Sequence, residues 1–219
     1  MLLARILYPV LPLGPGKRIG IWLCGCKRRC PHCANPELQE FDPQKEVPLS
    51  QVIAFVRSVF QSKPVDGITI SGGEPFEQAG ELAGLLEAVT VLTDDILIFS
   101  GYRYEQLKER HCSATDQVLD AAGVLVDGEY VDELNNGSPL RGSDNQRMIF
   151  LKPELRDRYE AYMERGRLYQ NICTQEGVFL LGLHRRGFME EYRGKIQAAG
   201  IAIELQNGQD GVPVENLNR

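Results

Sequence analysis

No stretch of the 219 residues approaches the roughly 18 consecutive apolar residues of a membrane-spanning helix, so no membrane partner is expected. An excess of basic charge is also missing. Lys and Arg number 24 against 30 Asp and Glu, a net charge of -6, which argues against a general nucleic-acid binder. Internal repeats and low-complexity linkers are absent. The apolar segment Met1–Val10 carries Arg5, is cut by Pro9 and Pro12, and lacks a small-residue cleavage site, so it does not read as a secretory signal. The expected location is therefore cytoplasmic. What is present is ordinary for a globular chain: 43% hydrophobic and 25% charged residues. The length suits one domain with a full hydrophobic core.

The cysteines are the unusual feature. Of six, Cys24, Cys26, Cys30 and Cys33 fall within ten positions, while Cys112 and Cys173 stand alone. In a reducing compartment, clustered cysteines are more often metal ligands or redox groups than disulfides. Cys26-Lys-Arg-Arg-Cys30-Pro-His-Cys33 follows directly on a predicted strand, Arg18–Leu23. Three thiolates so spaced can wrap one inorganic cluster, and a four-iron cubane normally takes four. Three ligands leave one iron open to a substrate or cofactor. The alternatives are a structural zinc site completed by Cys24 or His32, and a thioredoxin-like pair, Cys30 with Cys33. Against zinc stand the tight Cys24–Cys26 spacing and the lack of a second Cys-x-x-Cys pair. Cys24 continues the strand alternation beside Trp22 and reads as a packed core thiol. Lys27, Arg28 and Arg29 read as solvated loop charges, with partner docking as the alternative.

Short apolar runs alternate with amphipathic stretches. Strands are predicted at Arg18–Leu23, Gly67–Ser71, Asp95–Ser100, Gly123–Val126, Gln146–Leu151, Gly177–Leu183 and Ile201–Leu205. Helices are predicted from an N-cap at Ser50 to Gln61, from Phe76 to Val91, from Pro153 through Met163, and from Phe188 to Gly200. This alternation implies an α/β fold with a parallel sheet, open or curled into a partial (β/α) barrel of about six strands. Chemistry gathers at the C-terminal ends of such strands. One domain is expected over 1–206, with the polar tail 207–219 frayed.

Ser71-Gly72-Gly73-Glu74-Pro75 closes the second predicted strand. Its glycines admit close backbone approach to a ligand, and an ordinary strand-to-helix turn is the plain alternative. Together with the cysteine loop, in this order and each after a strand, it resembles the radical S-adenosylmethionine superfamily. Within that superfamily the chain most resembles the activases of glycyl-radical enzymes, especially of anaerobic ribonucleotide reductase. Gly14-Pro15-Gly16-Lys17-Arg18, Cys33-Ala34-Asn35-Pro36-Glu37, Ser100-Gly101-Tyr102, Val124–Gly128 and Arg141-Gly142-Ser143 are similar to segments of those proteins. The likeness spans 13–147. Leu13 departs from the Asp common before Gly-Pro-Gly, and the last 70 or so residues extend past the compact activases.

The resemblance implies a [4Fe-4S] cluster that cleaves S-adenosylmethionine reductively to methionine and a 5'-deoxyadenosyl radical. The radical would install a glycyl radical on a partner enzyme; the alternative is action on a small molecule or peptide. A flavodoxin or ferredoxin-type protein would donate the electron. By position, Cys26, Cys30 and Cys33 would ligate iron, and His32 would lie near the adenine. Gly72, Gly73 and Glu74 would hold the amino group, and Ser100 and Gly101 would reach the ribose. Asp127 would face the site or a cation, and Arg141 would pair with the methionine carboxylate. A turn aspartate and a solvent arginine are the bland readings of the last two. No further cysteine-rich insert suggests a second cluster.

Overall fold

Strands buried on both faces read as near-continuous aliphatic runs, and the runs of this sequence assemble accordingly. The computed structural model describes residues 1–174, 177–198 and 211–212. β1 (Leu3–Val10), β2 (Arg18–Leu23), β3 (Gly67–Gly72), β4 (Ile96–Ser100), β5 (Val124–Asp127) and β6 (Arg147–Phe150) form one sheet in that spatial order. β2 through β5 run parallel, and the two edges, β1 and β6, are antiparallel to their neighbours. The result is a mixed α/β structure with a mostly parallel sheet.

This corrects the expectation of six parallel strands. A parallel return needs a crossover of about a dozen residues or more, and residues 11–17 between β1 and β2 are too few. The N-terminal apolar run, considered above only as a targeting signal, is this edge strand. The cysteine loop therefore follows the second strand and not the first. β1 also protects β2, whose six residues are all buried, from lying at an exposed sheet edge.

Crossovers between the parallel strands are α1 (Leu49–Ser62), α2 (Ala79–Val89) and the pair α3 (Tyr104–Glu109) and α4 (Ser113–Ala121), the last two unforeseen. Pro48, not Ser50, precedes the first turn of α1, where its missing N–H costs nothing. The predicted Phe76–Val91 helix divides into a 3-10 turn, Pro75–Gln78, and α2. Val52 and Val56 of α1, Leu82, Leu85 and Leu86 of α2, and Val118 of α4 pack on Ile19, Ile21, Ile68, Ile70, Ile96 and Ile98. Strand alternation sends Leu97, Val124 and Val126 to the other face, against Tyr159 and Tyr162 of α5 (Arg156–Met163).

The chain then adds a hairpin of β7 (Gln170–Thr174) and β8 (Gly177–Leu181), the helix α6 (Phe188–Ala198), and β9 (Gly211–Val212) on β8. Leu181 is buried with Val10, Leu13, Trp22 and Cys24, which docks the hairpin beside β1 and β2. Gln170 ties it further, accepting from Leu11 N at 2.9 Å and donating to Pro9 O at 2.8 Å. The predicted strand Ile201–Leu205, the helix end at Gly200 and all of the tail except Gly211–Val212 lie outside the described residues. No helix among the described residues is long and apolar enough to cross a membrane.

At the end of the sheet away from the cysteine loop, Arg18 is wholly buried. Its Nε donates to Thr69 Oγ1 at 2.6 Å, and its Nη2 to Asp95 Oδ1 at 2.9 Å. The Tyr159 hydroxyl donates to the same Asp95 oxygen at 2.5 Å, so the ion pair joins β2, the residue before β4, and α5. Removing one member strands the other charge in the interior. Arg18→Met is expected to cost about 3 kcal/mol in urea denaturation, the low end for such pairs because Arg158 also reaches Asp95 at 3.1 Å.

Candidate active site

Parallel strands deliver the residues after each C-terminal end to one side of a sheet. Here the loop after β2, the turn at the end of β3 and the start of the segment after β4 border one cavity of about 440 Å³. Cys26, Cys30, Cys33 and His32 line it from the loop. Gly72, Gly73 and Glu74 line it from the turn, and Ser100 and Gly101 from β4.

The loop is pinned at its root, where Gly25 N donates to Leu38 O at 2.8 Å and Cys26 N to Gln39 O at 2.9 Å. Between the cysteines it turns sharply. Arg29 (φ 47°) and His32 (φ 55°) are left-handed, a conformation that costs a residue with a Cβ roughly 1–3 kcal/mol. All six cysteines carry free thiols, and Asn35 N donates to Cys33 Sγ at 3.4 Å. Cys24 is fully buried beside Trp22 and does not border the cavity. Among the described residues, no three Cys, His, Asp or Glu side chains gather tightly enough for a single metal ion. Burial, and after it the Glu129 charge, pushes the Cys30 thiol up to about 11; burial likewise raises Cys33. Such thiols stay neutral unless a cationic centre claims the thiolate. Three free thiols along one cavity wall are a soft donor set that suits an iron–sulfur cluster.

The glycines of the β3 turn serve the packing of two loops. Gly72 has φ 109°, and a Cβ there would lie 2.3 Å from Leu23 O. A Cβ on Gly73 would lie 2.4 Å from Gly25 O. The turn's amides are committed as well, Gly73 N to Leu23 O at 2.8 Å and Glu74 N to Gly25 O at 2.9 Å. The turn is thereby pressed against the stem of the cysteine loop.

Glu74 is 1% exposed, and its carboxylate accepts from Phe76 N at 3.1 Å, Ser100 Oγ at 2.9 Å and Gly101 N at 2.7 Å. It thus clamps the end of β3 to the end of β4, and the Ser100 hydroxyl is engaged in that clamp. Burial pushes Glu74 up to about 7, only partly offset by these three donors. Because the folded state holds this proton more tightly, its contribution to stability is complete below the ordinary value of about 4.5. That contribution is lost as pH rises through 7. Urea midpoints compared across pH 4.5–8 are expected to show a fall with rising pH that is flattened in Glu74→Gln.

Two expected site residues do not reach the cavity. Asp127 is buried at the end of β5, where it accepts from Tyr104 N at 2.7 Å and Arg147 Nε at 2.9 Å. It caps the start of α3 and anchors β6. Arg141 donates to Asp144 O and Gln146 O, each at 3.1 Å, and to Ser138 Oγ at 3.2 Å. Its donors are spent folding its own loop.

Other residues border the cavity without having been foreseen. Arg28 is not a solvated loop charge: it pairs with Glu129 at 2.8 Å and lies over the Tyr102 ring at 4.8 Å. Lys27 lies outside the cavity lining and is 71% exposed; it pairs with Glu77 at 2.7 Å, and Tyr102 donates its hydroxyl to the same carboxylate at 2.6 Å. The larger surprise is the segment Leu183–Glu190 with Arg193, from β8 into α6, which forms a further wall. It is held by Asn135 Nδ2 donating to His184 O at 2.8 Å and by Arg186 with Asp132 at 3.0 Å. The rings of Phe188, Tyr169 and His184 cluster, with Phe188 at 4.3 Å from Tyr169 and 4.9 Å from His184. No spacing in the sequence signals this contact, because it joins segments far apart along the chain.

A family model described as a 4Fe-4S single cluster domain matches residues 13–149. The anaerobic ribonucleoside-triphosphate reductase-activating protein of Escherichia coli K12 is 30% identical over 148 residues, covering 64% of this chain and 92% of that protein. The protein of the same name from Enterobacteria phage T4 is 27% identical over 139 residues, 62% and 85% of the two chains. The pyruvate formate-lyase-activating enzyme of Staphylococcus epidermidis is 35% identical over 219 residues, 89% and 83% of the two chains.

Proposed function

The chain belongs to the 4Fe-4S single cluster domain family, and from that premise we propose that it is a radical S-adenosylmethionine activase that installs a glycyl radical on a partner enzyme. The observation that carries this reading is the shared cavity: three free thiols on one wall, the glycine turn and the β4 end on the next. Both kinds of relative compared above are named for activating another enzyme, which supports a protein substrate.

In this reading Cys26, Cys30 and Cys33 would hold the cluster and leave one iron without a protein ligand. When bound, the cluster and S-adenosylmethionine supply the electron and the deoxyadenosyl radical. The protein's own part is to place and shield them. Gly72 and Gly73, which line the cavity, would receive the amino group of the cofactor. Glu74 holds that turn against Ser100 and Gly101, and His32 borders the adenine end. Asp127 and Arg141 position the loop after β5 without touching the cofactor. The six-stranded sheet curls as a partial barrel around this site. The described residues up to Ala198 form one domain, cytoplasmic, and a flavodoxin or ferredoxin-type protein supplies the electron.

The test is anaerobic reconstitution with iron and sulfide, followed by dithionite and S-adenosylmethionine. Methionine and 5'-deoxyadenosine are expected in equal amounts. A full cluster that yields neither would sink the reading. A second reading, action on a small molecule or peptide, is favoured by the wall that the β8–α6 segment builds across the cavity. A glycine-centred radical signal on a co-incubated glycyl-radical enzyme, seen by electron paramagnetic resonance, selects the first reading over the second.

A further inference from the structure

Of the three basic residues between Cys26 and Cys30, Arg28 alone lines the cavity, together with those two cysteines. Lys27 and Arg29 are 71% and 56% exposed and pair with Glu77 and Glu40. The Arg28 side chain is 19% exposed, and three neighbours fix it. Its Nη2 donates to Glu129 Oε2 at 2.8 Å, and its guanidinium lies 4.8 Å from the centre of the Tyr102 ring. Gly101 leaves it room: a Cβ there would lie 2.5 Å from Arg28 Cδ. Glu129 is placed by its own loop, where Asn145 Nδ2 donates to Glu129 O at 2.8 Å and Gln146 Nε2 to Gly128 O at 2.7 Å. A guanidinium keeps its charge at any ordinary pH, so a permanent cation is built into the wall that carries Cys26 and Cys30.

Where thiolates hold an iron–sulfur cluster, an electron added to it increases the negative charge of a partly enclosed site. The potential of such a centre accordingly follows the charges and hydrogen bonds around it. A fixed cation favours the reduced form and a carboxylate the oxidised one, and both act more strongly where water is scarce. We propose that Arg28 is a positioning residue for electron transfer: its charge raises the reduction potential of the cluster, and Glu129 sets how far. This rests on the reading of Cys26, Cys30 and Cys33 as the cluster ligands. One electron passes from the reductant to the cluster, and no protein bond is made or broken. The segments after β4 and β5 then share a task with the cysteine loop, because together they hold one charge pair at its side.

The measurement is the midpoint potential of the reconstituted holoprotein without S-adenosylmethionine. An anaerobic titration with dithionite, followed by electron paramagnetic resonance of the reduced cluster, supplies it. Arg28→Gln is expected to lower the reduced-to-oxidised ratio about tenfold at a given potential, a downward shift of about 59 mV for one electron. Glu129→Gln should shift the potential upward. Arg28→Lys keeps the charge and should shift it less than half as far as Arg28→Gln. Arg29→Gln removes an exposed charge from the same loop and should leave it in place. An unshifted potential in Arg28→Gln overturns the proposal, as does an equal shift in Arg28→Lys or Arg29→Gln. A shift of the same sign in Arg28→Gln and Glu129→Gln overturns it too, since that marks a disturbed loop and not a lost charge. Where Arg28→Gln takes up no iron, the direction of the shift in Glu129→Gln decides. Wild-type protein that takes up no cluster sinks the cysteine assignment itself.

Discussion

Cys26→Ala protein is expected to lose both its full iron–sulfur complement and all measurable 5'-deoxyadenosine formation, while Cys24→Ala keeps both. The two thiols are two residues apart, yet their surroundings are opposite. Cys24 is sealed among Val10, Leu13, Trp22 and Leu181, where burial raises its pKa, and it does not border the cavity. Its replacement removes one small apolar group, a cost of about 1 kcal/mol. Cys26 lies past the Gly25 bend and opens on the cavity with Cys30 and Cys33. With two thiolates left, a four-iron cluster has too few protein ligands to persist. Iron and sulfide content after anaerobic reconstitution checks the first half, and product formation the second. Full iron and activity in Cys26→Ala, with loss in Cys24→Ala, would reverse the ligand assignment.

Gly72→Ala and Gly73→Ala are expected to be the most damaging substitutions that add a single methyl group. The Gly72 backbone, at φ 109°, lies where a Cβ is strained whatever space surrounds it. The added carbon at either position meets a carbonyl oxygen of the cysteine-loop stem, at 2.3 Å from Leu23 O or 2.4 Å from Gly25 O. Backbone cannot rotate away as a side chain does, so the turn and the loop must separate. Strain and overpacking together cost about 2–6 kcal/mol for Gly72→Ala, and somewhat less for Gly73→Ala. Separation also shifts the glycine wall relative to the thiols, and a displacement of about 1 Å in a positioned site lowers turnover roughly 100-fold. Thermal denaturation and product formation test the two effects. A Gly72→Ala protein with wild-type stability and rate would show that the turn is not wedged against the loop.

Different parts of the molecule were legible to different degrees. The aliphatic runs of β2 to β5 identified themselves because strands buried on both faces need no polar side. β1 is not among the predicted strands, because an isolated apolar segment looks alike as an edge strand or a leader. The direction of the edge strands depends on the lengths of the connections, and on which partner edge is free. The resemblance marks Glu74 as a site residue that holds an amino group; the fold uses its carboxylate to join two strand ends. Asp127 and Arg141 lie near the predicted places along the chain, but the nearest unsatisfied backbone groups claimed them.

Local spacing by itself determined the three thiols, the glycine turn that follows them one crossover later, and the alternation that sets them at strand ends. These are properties of neighbouring residues, and short-range geometry suffices to read them. Tertiary structure alone decided that Cys24 is sealed while Cys26 is open, and that Arg28 is pinned to Glu129. It also decided that a helix near the end of the chain brings Arg193 to a cavity opened by residues near the start. One cavity thus takes its walls from segments up to about 170 positions apart, from Cys26 to Arg193, and that depends on how layers pack. Hydrophobic burial sets that packing without direction, so no residue pattern along the chain announces which side chains it will bring together.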